Sequence, residues 1–196
     1  MAETAKKVSI VDGGDASSLK TLFSKLKNVY YNSDPITAST LSSQTGIQCE
    51  LEFPVLSDGV SVNTGDAEVQ EIKITTGSIW TSRADKGDSD ISFQVASIDG
   101  KINDLFLTKK NNKSVSGIEI MNLGTFSGES YDLDVNKVTG SLILTDDNGQ
   151  TVLILTNVEM YASLVVGDGD NPAYFNVTVT PSNNTDGAAI MILHKD

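Results

Sequence analysis

The sequence predicts a mainly β protein: an antiparallel β-sandwich or barrel with one flanking α-helix over about 16–30 and a second, short helix over about 98–107. Three observations carry this. Apolar and polar residues alternate along most of the chain beyond Pro35, the pattern of strands buried on one face. Two runs, Leu142–Leu144 and Val152–Leu155, are apolar at every position, as in strands covered on both sides. One early segment repeats its apolar residues with a helical period instead.

In that segment Leu19, Leu22, Phe23, Leu26, Val29 and Tyr30 fall on one helical face. Asp15, Ser17 or Ser18 can cap its start, Lys25 and Lys27 suit the negative end of the helix dipole, and Asn32–Pro35 ends it. The first alternating strand contains Ile47, Cys49, Leu51 and Phe53. Val69 lies out of phase with Ile72 and Ile74, so that strand is short or bulged. Ile91, Phe93 and Val95 form the next. In the short helix Asp99 is the cap and Ile98, Ile102, Leu105 and Phe106 share a face, although Gly100 lowers helix propensity. Ile118 and Ile120 mark a further strand. Asp147-Asn148-Gly149 is a hairpin turn, because Asn-Gly accepts the positive φ such turns require. Val158, Met160, Ala162, Leu164 and Val166 form one face of a long strand, Phe175, Val177 and Val179 another, and Ile190 and Ile192 the last. Gly- and Asn-rich clusters at 167–172 and 182–187 separate these. Roughly ten strands are expected, in one domain over 1–196 with residues 1–8 as a flexible N-terminal arm.

Charge narrows the function. The chain of 196 residues carries 14 Lys+Arg, 26 Asp+Glu and one His, a net charge of −12. Tight nucleic-acid binding needs cations to replace phosphate counterions and is not expected. Residues 1–30 have five Lys against Glu3, Asp12 and Asp15, whereas the remainder has 9 basic and 23 acidic residues. The N-terminus lacks an apolar region of secretory length. No stretch reaches the roughly 20 apolar residues that cross a bilayer, so synthesis in the cytoplasm and no membrane partner are expected.

Little in the sequence points to catalysis. Cys49 sits on the apolar side of its strand, where a thiol behaves as a small hydrophobe. His194 stands alone near the end, which excludes a His-pair metal motif and disfavours a His-based triad. The clusters Asp85–Asp90 and Asp168–Asn171 offer oxygens but not the spacing of a calcium loop, and turn chemistry accounts for both. No phosphate loop, dinucleotide fingerprint or nucleophile elbow occurs. A non-enzymatic protein with no catalytic residue, metal or cofactor is therefore expected. Trp80 is open to three readings: a core residue, a platform for sugar, or an anchor at a subunit contact, where Trp and Arg are enriched.

Three stretches together carry a family resemblance. Ser78–Leu107 runs from a polar loop with Lys86-Gly87-Asp88 into an alternating strand and a short helix. Thr139–Leu164 is a hairpin followed by a long alternating strand. Ala173–Pro181 and Gly187–Leu193 form a closing pair. Their order resembles the tail tube (major tail) proteins of long-tailed bacteriophages and is similar to the tube proteins of contractile injection systems. The resemblance implies a homo-oligomer: hexameric rings stacked around a channel that passes DNA without gripping it, in a virion tail with other tail proteins. It implies subunit contacts at Trp80, Arg83, Asp85, Lys86 and Asp88. The polar loops 55–68 and 82–90 and the arm 1–8 would be ring-to-ring elements, and a carboxylate-lined channel would repel phosphate. A head decoration or head–tail joining protein, or a carbohydrate-binding or adhesin module, is the alternative.

Overall fold

The computed structural model of the chain describes residues 25–43, 46–96, 100–166 and 172–195. The described elements, in order, are β1 (Leu26–Asn32), α1 (Ala38–Ser43), β2 (Leu51–Phe53), β3 (Val55–Asn63), β4 (Ala67–Lys73), β5 (Ile79–Lys86), β6 (Asp90–Ala96), α2 (Gly100–Phe106), β7 (Thr108–Ile120), β8 (Gly124–Asp132), β9 (Lys137–Asp146), β10 (Thr151–Val165), β11 (Tyr174–Pro181) and β12 (Ile190–His194).

The main sheet is antiparallel, in the order β2-β1-β9-β10-β11-β6-β3, with β12 added to β10. β2 and β3 are parted by Pro54 alone. β2 pairs with β1, placing Phe53 opposite Val29, and β3 pairs with β6, placing Val55 opposite Val95. One continuous stretch thus joins both edges, and the sheet nearly closes into a barrel. Proline has no N–H to donate, so it is tolerated where the stretch changes partners. Its carbonyl accepts from Ala96 N at 2.9 Å.

β10 also changes partners. Residues 151–155 pair with β12, and those from Val158 onward pair with β11. At this fork Thr156 is fully buried; its Oγ1 donates to Ala188 O at 2.5 Å and its N–H to Ala189 O at 3.0 Å. Asn184 holds the adjacent turn. Its Nδ2 donates to Ile36 O at 2.8 Å, and its Oδ1 accepts from Asp186 N at 2.9 Å and Ala188 N at 3.0 Å.

The barrel interior follows from the alternation. Val29, Phe93, Leu142, Leu144, Leu155, Val158, Met160, Phe175 and Val177 point inward and are buried. α2 contributes Ile102 and Phe106, and the Phe106 ring lies 5.6 Å from Phe53 and 5.2 Å from Phe175. The two runs apolar at every position are covered on both sides as expected. Ile143 and Ile154 face outward and are buried beneath Ile36 and the segment after it. Asp146 closes the β9–β10 turn by accepting from Gln150 N at 2.9 Å, and Gly149 takes φ +62 there.

Two expectations change. The helix over 16–30 does not extend to its C-terminal part: Leu26–Asn32 is β1, a strand paired with both β2 and β9. Val29-Tyr30-Tyr31 has high strand propensity, and pairing on both edges buries Val29 and Tyr31 inward. Residues 16–24 of that expected helix, and the arm 1–8, lie outside the described residues. The flanking helix seen instead is α1, where Thr37 and Thr40 bond each other's backbone N–H (Thr40 N to Thr37 Oγ1 at 3.1 Å, Thr37 N to Thr40 Oγ1 at 2.8 Å). The expected loops 55–68 and 82–90 are largely strand: β3 fills most of the first, and β5 continues through Lys86. α2 falls where the short helix was expected, and His194 ends β12 opposite Thr151.

Candidate assembly surface

Two hairpins stand apart from the barrel. Within the described sheets β4 pairs only with β5, and β7 only with β8. No residue of β4 or β5 is buried, nor is any described side chain of β7 or β8. A lone two-stranded hairpin is marginally stable in water. These two nevertheless expose large apolar groups. The first shows Val69, Ile72, Ile79 and Trp80, the last 72% exposed. The second shows Ile118, Ile120 and Phe126 along its length and Met121 and Leu123 at its tip, 84% and 72% exposed. Large apolar side chains exposed in this number make the two hairpins the candidate contact surface.

Each hairpin is held at its base. At the first, Gly65 takes φ +93, and a Cβ there would lie 2.2 Å from Gly87 O; Gly87 N donates to Asp66 O at 2.7 Å. Only glycine allows two backbones this close. At the second, Asp104 of α2 accepts from Tyr131 Oη at 2.8 Å and pairs with Lys109 Nζ at 2.9 Å, while Lys110 pairs with Asp132. The Lys109 hydrogen bond, and then that of Tyr131, holds Asp104 below the usual carboxylate range, and Lys110 does the same to Asp132. Both lysines are pushed up by the same partners. Such exposed pairs contribute little stability; they tie the base of the hairpin to α2 and close its two strands.

The charge separates along the same line. Residues 67–86 carry Glu68, Glu71 and Asp85 against Lys73, Arg83 and Lys86. Residues 108–132 carry Lys109, Lys110 and Lys113 against Glu119, Glu129 and Asp132. Residues 1–24 also balance, three against three. The remaining residues of the chain, the barrel strands among them, have 17 acidic and 5 basic residues and so hold the entire −12.

The five residues expected at a contact all fall on or just after β5. Trp80 is the extra residue of a bulge, since Ile72 faces Thr81 and Lys73 faces Ile79. The bulge lies on β5 and not between Val69 and Ile72, where β4 is regularly paired, so Val69 and Ile72 fall on opposite faces of the hairpin; the exposure of Trp80 excludes the core reading. Arg83 pairs with Asp85, Nη2 to Oδ1 at 3.0 Å. Lys86 ends the strand, and the Asp88 carbonyl lies beside Gly65. The second hairpin was missing from that set, although Ile118, Ile120, the turn Met121-Asn122-Leu123-Gly124 and Phe126 spell it out. Asn122 takes φ +64 in that turn.

An apolar recess of about 580 Å³ lies on the outer face of the barrel. Tyr30, Ile47, Cys49, Ile143, Val152 and Leu193 line it, with Glu50 and Glu52 also present. Burial pushes the Cys49 thiol up, away from the thiolate form. Beside the recess runs β12, Ile190-Met-Ile-Leu-His194, with no charge and no proline. Among the described residues it has a strand partner, β10, on one edge only. Another recess, of about 510 Å³, lies under residues 32–48 and is lined partly by Asn32, Asp34, Thr40 and Gln48. Among the described residues, no group of three or more His, Cys, Asp or Glu is placed to hold a metal ion, and no helix is long and apolar enough to cross a membrane.

No protein family matches the chain, and a search of curated proteins finds no match. Among solved structures, the anti-feeding prophage cap, the tube-terminating cap of that particle, is similar over the full length of both chains, with a TM-score of 0.43 and 13% identity.

Proposed function

We propose that the chain is a non-enzymatic assembly subunit, a tail tube protein whose copies form rings stacked around a channel in a phage-like particle. The observation that carries this is the pair of hairpins: isolated from the core, apolar, and net neutral, while the remaining residues, the frame, hold the whole charge of −12. Hairpins with exposed apolar groups and no net charge can meet another copy without net repulsion, whereas the acidic frame keeps free subunits soluble. The order of elements from Ser78 to Leu193 supports the same reading through its resemblance to tail tube proteins.

DNA, in this reading, passes without being gripped. The frame carboxylates repel phosphate where they face it, and the hairpins offer no net cation to bind it. Other tail proteins would cap the stack through the same hairpin and edge surfaces, in a virion assembled from cytoplasmic subunits.

A sugar-binding role finds less support. Of the aromatic residues that would form a groove, Trp80 projects from a hairpin, Tyr174 is buried, and Tyr131 and Tyr161 bond Asp104 and Glu159. Negative-stain microscopy of the purified protein tests the proposal: rings or tubes are expected, and dispersed single subunits at all concentrations would contradict it.

A further inference from the structure

The outer recess adjoins β12, whose second edge has no strand partner among the described residues. Leu193 lines the recess, and Met191 packs into the outer apolar cluster beside Ile154. An apolar edge strand without charge, proline or bulge is open to pairing with another strand. We infer that this surface receives the tip of the β7–β8 hairpin from a second copy, in a head-to-tail contact. This rests on the self-association proposed above and specifies where it occurs.

Charge selects the occupant. Frame against frame would bring two bodies of −12 together, and Glu50 and Glu52 stand at the recess itself. The hairpins are the neutral, apolar surface of a second copy, and the β7–β8 tip is the more apolar of the two ends. Its run Ile118, Ile120, Met121, Leu123 and Phe126 matches the apolar lining of the recess. The nine residues of β8 extend about 30 Å at 3.4 Å each, far enough to reach a neighbour.

Direction follows from β9. The hairpin ends at Asp132, and after four intervening residues β9 starts at Lys137. β9 then runs toward the recess, reaching Ile143 about 20 Å further on. Donor and acceptor are therefore different patches of the chain, the tip of a separate hairpin and the outer face of the barrel. Such a contact is heterologous and can repeat, copy upon copy, as stacking requires.

Cys49 is the sole cysteine of the chain and lies in the recess, so it reports on the contact directly. The variant Met121→Cys, assembled from the full chain and mildly oxidised, should give a ladder of disulfide-linked oligomers on a non-reducing gel. Adding Cys49→Ser should abolish the ladder. A dimer band that survives Cys49→Ser would mean tip-to-tip contact and would overturn the inference. No ladder, with assemblies still present by microscopy, would also overturn it and leave the recess to the chain's own residues 1–24 or to a different partner. Wild-type protein that never assembles would overturn the self-association reading itself. As a second line, Leu123→Asp should keep the melting temperature and raise the concentration needed for assembly by about tenfold or more. Unchanged assembly would count against the contact.

Discussion

The barrel and the hairpins obey opposite rules within one chain. In the barrel, alternation buries its apolar side chains: Phe53, Phe106, Phe175 and Leu144 are almost wholly enclosed, and the frame's exposed surface is strongly acidic. In the hairpins the same kind of alternation leaves Ile72, Ile118 and Phe126 in solvent, and the charges cancel. The difference teaches that a strand pattern reports what a strand can bury, not whether its own chain supplies the cover. Among the described residues, the hairpin strands are left with apolar side chains in solvent, the kind of surface a contact would cover.

The contrast can be broken first at phenylalanine. Phe53→Ala should cost about 3–5 kcal/mol of stability in chemical denaturation, because it empties the site where Tyr31, Phe93 and Phe106 meet. Phe126→Ala, in the second hairpin, should stay within about 0.5 kcal/mol in the same experiment while weakening assembly. Equal losses of stability would mean that the hairpin belongs to the folding core.

Gly140→Ala is the next largest. Gly140 takes φ +155, and a Cβ there would lie 2.2 Å from Asn32 O, where β9 meets the end of β1. A loss of about 1–3 kcal/mol is expected, read as a fall in the denaturation midpoint. Asn184→Ala should cost roughly 1–3 kcal/mol, since it leaves Ile36 O, Asp186 N and Ala188 N without their partner. Thermal melts would register both, and neither change touches a hairpin.

The smallest effect belongs to the hairpin base. Asp104 and Asp132 titrate below their usual value, so their ion pairs hold above about pH 4 and are lost as the pH falls through the lowered pKa. Lys109 and Lys110 are raised, so the pairs persist to at least about pH 10. Measured against the intrinsic exchange rate at each pH, amide protection at Lys109 and Tyr131 should therefore fall at acid pH and in high salt, with the protection of barrel amides such as Leu144 unchanged. An equal fall in both places would join the two regions.

Much of the barrel was legible because burial leaves a mark on each residue it uses. The doubly apolar runs at Leu142–Leu144 and Val152–Leu155, the Asn148-Gly149 turn and the helix at 100–106 follow from local pattern. The end of the expected early helix did not. Leu26, Val29 and Tyr30 satisfy a helical period, and only pairing with β2 and β9, up to 120 residues away, makes them a strand. The site was half legible. Trp80 and Arg83 are residue types enriched at contacts, while the β7–β8 tip is built of ordinary Ile, Met and Leu. Its significance is its exposure, which a sequence does not display.

The most direct measurement is sedimentation of the full chain beside a variant in which short glycine linkers replace residues 67–86 and 108–132, with melting followed by circular dichroism. The account predicts that the variant keeps a cooperative barrel transition and sediments as a monomer at concentrations where the full chain assembles. A variant that assembles like the full chain, or that no longer folds, would contradict it.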